Sequence, residues 1–194
     1  MTPAQQQWGK IARRIRVPMG FLFAAVFLWR IYYFPPTYLS LALSLLLVVP
    51  GALLRAYASG YVKKNAELAT TGPYAYTRNP LYLGSMLMAF GFAAASRSLL
   101  IVILLAVLFT LIYLPTILSE EAFLRATFPD FEAYTHRVPR LFPRLTPVAS
   151  DTSVSAGGFS TQLYRQHREY NAALGAISIY AALLGRIILG HRHF

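Results

Sequence analysis

An all-α bundle of about five transmembrane helices is the fold this sequence predicts, on three observations. The 194 residues are 56% hydrophobic and only 13% charged, with a mean hydropathy of +0.47; a soluble domain carries roughly twice that share of charge. The apolar residues gather into stretches near the ~20 residues that a helix needs to cross a hydrocarbon core of about 30 Å. The charged residues collect between those stretches. Residues 17–34 form the first stretch. It runs into Tyr32-Tyr33-Phe34-Pro35-Pro36, with no small-residue cleavage site, so it reads as a retained helix rather than a signal peptide. Its aromatic end suits the membrane interface, and Pro35-Pro36 predicts a tight hairpin into the second stretch, 37–57. The third, 81–96, is about 24 Å long at 1.5 Å per residue and crosses only if the bilayer thins or its ends snorkel. A break at Ser96-Arg97 leads into the fourth stretch, 98–118. The fifth, 170–189, either spans or lies flat, with Arg186 near its end able to snorkel. These divide the chain into a membrane core (1–145), a linker and polar segment (146–169) and a C-terminal hydrophobic helix (170–194). The part from 146 to 158 is rich in Ser, Ala, Gly and Thr.

Charge fixes an expected orientation. The net charge is +11, yet strings of Lys and Arg that would line a nucleic-acid groove are missing, so the expected neighbours are membrane lipids and not nucleic acid. With the N-terminus in the cytoplasm, all but Arg30, Arg97, Arg186 and Arg192 among the basic residues fall on the cytoplasmic side, as the positive-inside rule requires. So do all seven acids: Glu67, Glu120, Glu121, Asp130, Glu132, Asp151 and Glu169. Polar chemistry is therefore expected at the cytoplasmic face, where segments 55–80 and 119–145 meet at the open end of the third and fourth helices.

Three patterns there carry chemistry. In Arg78-Asn79-Pro80-Leu81-Tyr82-Leu83-Gly84, Asn79 suits an N-cap and Pro80 the first helical position. That places a helix N-terminus, with free N–H groups and positive dipole charge, where it can meet a carboxylate; the plain alternative is that Asn-Pro simply starts a helix. Glu120-Glu121 is read as ending the fourth helix, against its macrodipole, and calls for a compensating cation; the alternative is a solvated amphipathic helix over 119–136, with Leu124, Phe128 and Phe131 on one face. Val138-Pro139-Arg140-Leu141-Phe142-Pro143 either rests on lipid headgroups or caps a pocket. Gly84, Ser85, Ala89, Gly91 and Ala93 give the third helix a small-residue face for packing. His136, His167, His191 and His193 show no metal-ligand grouping. The sequence has no cysteine, which excludes thiolate sites and a cysteine nucleophile.

"ELATTGPYAYTRNPLYLG", followed by "EEAFLRATFPDFEAYTHRVPRLFP", resembles the isoprenylcysteine carboxyl methyltransferase and phospholipid methyltransferase family of integral membrane enzymes that use S-adenosylmethionine. Gly72, Pro73, Tyr74, Arg78, Pro80 and Tyr82 match the first family motif, with Asn79 in the place of a His; Asn hydrogen-bonds but is no general base. Glu120, Glu121, Leu124, Phe128, Tyr134, Arg137, Val138 and Pro139 match the second, with Pro129 for the usual Gly. Thr116 and Glu67 stand where prenylcysteine enzymes often carry Arg and His. The resemblance implies a cofactor pocket for S-adenosylmethionine, released as S-adenosylhomocysteine. Tyr74, Arg78, Asn79, Pro80, Tyr82, Leu83, Glu120, Glu121 and Phe142 are its expected lining, and Glu121 and Arg137 its catalytic candidates. The Arg78–Asn79 region would take the carboxylate, the acids the ammonium or sulfonium side, and Tyr74, Tyr82, Leu83 and Phe142 the adenine.

The implied function is methyl transfer to a lipid-like or amphipathic acceptor, of prenylcysteine carboxylate or phospholipid amine type, at the cytoplasmic face. Such an in-line displacement depends chiefly on alignment. Two alternatives stay open at this point: an NADPH-dependent sterol-type reductase, whose C-terminal half is similar, and a non-catalytic lipid-binding scaffold. The acceptor atom and the oligomeric state are left open.

Overall fold

The computed structural model describes residues 3–63, 67–148 and 158–190. Asp151, Lys64, His191, Arg192, His193 and most of the 146–158 linker lie outside them. The described residues form helices joined by turns. They are α1 (Pro3–Tyr33), α2 (Tyr38–Ser59), α3 (Pro80–Ala95), α4 (Leu99–Thr127), α5 (Phe131–Arg137), α6 (Thr161–Gln166) and α7 (Tyr170–Gly190), with a 3₁₀ turn at Gly72–Ala75. α1, α2, α4 and α7 are long and apolar enough to cross a membrane, and α3 is a shorter apolar helix beside them. The five-helix expectation holds. The first helix begins earlier than the apolar stretch 17–34, because its polar N-terminal residues continue the same helix.

The predicted turn between the first two helices is present. Thr37 and Ser40 form a capping box that starts α2, Thr37 N–H donating to Ser40 Oγ and Ser40 N–H to Thr37 Oγ1. The predicted tight hairpin is not present: α1 packs chiefly along α4, and α2 along α3. The reason lies in the small residues. A Cβ on Gly84 would lie 2.7 Å from Gly51 O, one on Gly51 2.7 Å from Gly84 O, and one on Gly91 2.5 Å from Val48 Cγ2. α2 and α3 thus touch backbone to backbone, which only glycine permits. α1 is held elsewhere. Trp8 Nε1–H donates to Leu111 O at 3.0 Å, and a Cβ on Gly9 would lie 3.1 Å from Ser119 Cβ.

α7 packs along α2 as part of the bundle. It starts beside Arg55 of α2, held by Glu169, and reaches Arg186, whose Nη2–H donates at 2.6 Å to Tyr32 O in the C-terminal turn of α1, at the opposite end. Midway, Ser44 Oγ and Tyr180 OH are 2.5 Å apart. The segment before it is docked too: Ser160 N–H donates to Gly60 O, and Val148 N–H to Ala75 O. The apolar core lies toward the end away from the acids, where Phe27, Leu41, Ala93, Ile101 and Leu183 bring five helices together.

Helix lengths then set the site. α4 has 29 residues, about 44 Å, whereas α3 has 16, about 24 Å. Both start or end at the Ser96–Ser98 turn, where Arg97 takes a left-handed φ of 53°. So α4 overshoots α3, and the space above the start of α3 is filled by α5 and the chain after it.

Candidate functional site

The two motif segments meet, as the sequence led us to expect. Arg78 N–H donates to Pro139 O (2.9 Å), Arg144 N–H to Tyr76 O (3.0 Å), and Tyr134 OH to Tyr74 O (2.8 Å). Thr77, fully buried, donates through Oγ1 to Leu141 O (3.0 Å). Under this seam Phe131, Tyr134 and Val138 pack with Leu124 and Phe128. The amphipathic face foreseen over 119–136 therefore exists, although Phe128 and Pro129 break it into two helices.

Asn79 occupies the N-cap position of α3, but its side chain does not cap. Its Nδ2–H₂ instead donates to Glu121 Oε1 at 3.1 Å and to Arg140 O at 3.0 Å. Glu121 is buried, and Arg140 Nε–H donates to its Oε2 at 3.0 Å. Arg78 Nε lies 3.5 Å from Oε1, too poorly aligned for a hydrogen bond, so Arg78 Nε–H is a buried donor without a partner among the described residues. Burial presses the Arg78 pKa down and Glu121 opposes this; a guanidinium stays charged regardless.

The acids do not end the fourth helix. α4 continues to Thr127, so the macrodipole conflict disappears. Helical side chains lean toward the N-terminus, which brings Glu121 down to the start of the shorter α3. The two acids also part company. Glu120 faces a different space, accepting from Tyr82 OH at 2.8 Å, with Arg16 Nη1 at 3.7 Å; Arg16 in turn donates to Tyr82 OH at 3.0 Å. They line a cleft of about 620 Å³ between α1, α3 and α4, with Arg55 of α2 on its wall. A second, apolar space of about 160 Å³, lined by Phe23, Met86, Phe90 and Leu105, shares Gly20, Tyr82, Ser85 and Tyr113 with it. The two spaces thus adjoin along these four residues, the first bordered by charged side chains and the second by apolar ones.

The expected cofactor residues thus divide between two places. Arg78, Asn79 and Glu121 converge, with Pro80 buried beneath them; Tyr82 and Glu120 belong to the cleft. Tyr74 and Leu83 are buried. Burial pushes the Tyr74 hydroxyl pKa well up, with Glu169 adding to it. Phe142 is 77% exposed. Arg137 is exposed at the end of α5, its carbonyl accepting from Arg144 Nη1, and it is Arg140 that reaches Glu121. Sequence reasoning missed Arg16, Arg55 and Tyr113 in the cleft. Arg55 carried a signal, a cation within an apolar helical stretch. Its Nε and Nη2 donate to Glu169 at 2.8–3.1 Å, and its Nη1 to Ser85 Oγ and to Leu81 O. Among the described residues no cluster of three His, Asp or Glu side chains is placed to hold a metal ion.

Comparison with known proteins agrees with the motifs. Residues 37–130, covering α2, α3 and α4, match the phospholipid methyltransferase family. The chain is 38% identical over 109 residues to the nickel-cobalt-cadmium resistance protein NccN of Alcaligenes xylosoxydans xylosoxydans, covering 55% of this chain and 50% of that one. It is 42% identical over 90 residues to the cobalt-zinc-cadmium resistance protein CzcN of Cupriavidus metallidurans, covering 46% and 41%. The chain therefore spans about half the length of the curated relatives it matches. No solved structure matches it.

Proposed function

We propose, on the premise that segment 37–130 is a member of the phospholipid methyltransferase family, that this protein transfers a methyl group from S-adenosylmethionine to an amphipathic acceptor at the cytoplasmic face of a membrane. The observation that supports it best is the contact between the two motifs, Asn79 Nδ2 to Glu121 Oε1 at 3.1 Å, flanked by Arg78 and Arg140. The four side chains form one contiguous cluster, compact enough to lie within the span of a single nucleoside-sized molecule.

The residues fit such a molecule. The Arg78 Nε–H, which is ion-paired with Glu121 but makes no hydrogen bond, forms with the first-turn N–H groups of α3 a donor set for a carboxylate. Glu121 supplies the negative charge that an ammonium or sulfonium needs nearby. When bound, S-adenosylmethionine supplies an electrophilic methyl group on its sulfonium. The chain's own work is positioning, which for well-oriented reactions is worth about 7–11 kcal/mol. Asn79 cannot serve as a base, so it orients. The groove beside Tyr82 and Glu120 offers an acceptor a path from the apolar helices to the polar end, away from bulk water.

Calorimetry of the purified protein in neutral detergent tests this directly. It should bind S-adenosylhomocysteine, and Asn79→Ala should weaken that binding. Incubation with labelled methyl donor and a total lipid extract, with the product identified by mass, then names the acceptor. A wild-type protein that binds neither the donor nor S-adenosylhomocysteine ends the proposal.

A further inference from the structure

We propose that the groove between α1, α3 and α4 binds an anionic amphiphile, with Arg55 and Arg16 taking its phosphate or carboxylate head, and that Glu169 is a built-in anion that holds Arg55 when the head is absent. This deepens the acceptor reading above and rests on it for its catalytic meaning.

Arg55 and Arg16 line the cleft together with Glu120, so the charges on its own walls sum to one positive. Glu169 is not part of those walls. It comes from the turn just before α7, outside the matched segment 37–130, and meets Arg55 with both carboxylate oxygens, at 3.0 and 2.8 Å from Nη2. The planar fork of a guanidinium takes a carboxylate or a phosphate in this same two-pronged way, so Glu169 occupies the position that a ligand's own anion would use. The rest of the guanidinium is already aimed, by Leu81 O and Ser85 Oγ on α3. Its stem crosses α3 over Gly84, where a Cβ would lie 2.6 Å from Arg55 Cγ.

The turn that presents Glu169 is itself strained: Arg168 has φ 53°, in the left-handed region. Arg16, on the facing wall, is 40% exposed and, among the described residues, its ion-pair contact is the 3.7 Å approach to Glu120. Below the two arginines the groove turns apolar, past Gly20 to Met86, Phe90 and Leu105. A cationic mouth over an apolar channel fits an anionic head with a hydrocarbon tail. Gly20 lines both spaces and a Cβ there would meet nothing within 4 Å, so a larger side chain at this position takes up room that an apolar tail would use.

The test is native mass spectrometry of the full chain in neutral maltoside detergent, titrated with dodecyl phosphate, dodecyltrimethylammonium and inorganic phosphate. Dodecyl phosphate should bind in preference to the cation. Glu169→Gln should tighten it by about tenfold, and Arg55→Gln weaken it by about tenfold, as expected for a charge-assisted pair. Arg16→Gln, a change at an exposed side chain that leaves folding intact, should also weaken it. Gly20→Leu should weaken dodecyl phosphate and spare inorganic phosphate. Equal affinity of wild type and Glu169→Gln overturns the role of Glu169. Indifference to both arginine changes, or inorganic phosphate binding as tightly as dodecyl phosphate, overturns the amphiphile. A wild type that binds dodecyl phosphate but not S-adenosylhomocysteine sinks the methyltransferase reading alone; one that binds S-adenosylhomocysteine but treats the two dodecyl probes alike sinks this inference alone.

Discussion

Two adjacent acids on one helix should respond very differently to the same change. Glu121→Gln leaves the Arg78 side chain, 10% exposed, facing a neutral amide. Neutralising one member of a buried ion pair costs about 3–5 kcal/mol, because the other charge stays buried without compensation. The loss at Arg140, 42% exposed, adds at most about 1 kcal/mol, since water screens it. Glu120 is itself 42% exposed and Gln can still accept from Tyr82 OH, so Glu120→Gln should cost no more than about 1 kcal/mol. In a chain of this length about 1 kcal/mol moves the melting midpoint by roughly 2–4 °C, so Glu121→Gln should melt roughly 6–24 °C lower and Glu120→Gln only a few degrees lower. Thermal denaturation followed by circular dichroism in neutral detergent reads both. Similar midpoints for the two variants would refute the reasoning that burial separates them.

Three further outcomes are expected. Gly51→Ala should destabilise the protein by about 1–3 kcal/mol, because the new methyl meets Gly84 O, whereas Gly175→Ala, with nothing within 4 Å, should melt like wild type or slightly above it. Burial holds the Tyr74 and Tyr134 hydroxyls well above the ordinary 10.0. Their contribution is therefore intact below pH 10 and lost as pH rises beyond it, because only the unfolded chain releases those protons there; a midpoint that is flat between pH 9 and 11 contradicts this. Because the natural chain lacks cysteine, single cysteines report orientation cleanly. Arg97→Cys should react with an impermeant maleimide from outside intact cells and Thr127→Cys should not, the reverse pattern inverting the orientation.

Most of the helices were legible because a membrane makes hydropathy decisive: the stretches at 37–57, 81–96 and 170–189 fall within two or three residues of the observed helices. Partner choice was not legible, since it depends on where glycines face one another in space. Gly51 and Gly84 unite α2 with α3, and Trp8 commits α1 to α4, contacts that no local pattern announces. The site was half legible. Arg78, Asn79 and Glu121 come together as foreseen, because the short α3 and long α4 are tied by one tight turn. The division of Glu120 from Glu121 was hidden, because two neighbouring helical residues point about 100° apart and their facing depends on the helix's exact phase. Arg55 waited on a partner more than a hundred positions away in the chain.

That phase is set in one place. At Phe109–Tyr113 α4 widens to a π-helical turn, with Leu114 N–H reaching back to Phe109 O. Such a turn carries an extra residue, so everything after it is swung by about 100° relative to an unbroken α-helix. Rewinding that turn to a regular α-helix with all its residues kept would swing Glu121 off the Asn79 side of the helix and carry Glu120 away from Tyr82, whereas removing one residue along with the π-turn would restore both. The aim of both carboxylates is thus decided two turns upstream of them, by a local winding error that the chain keeps.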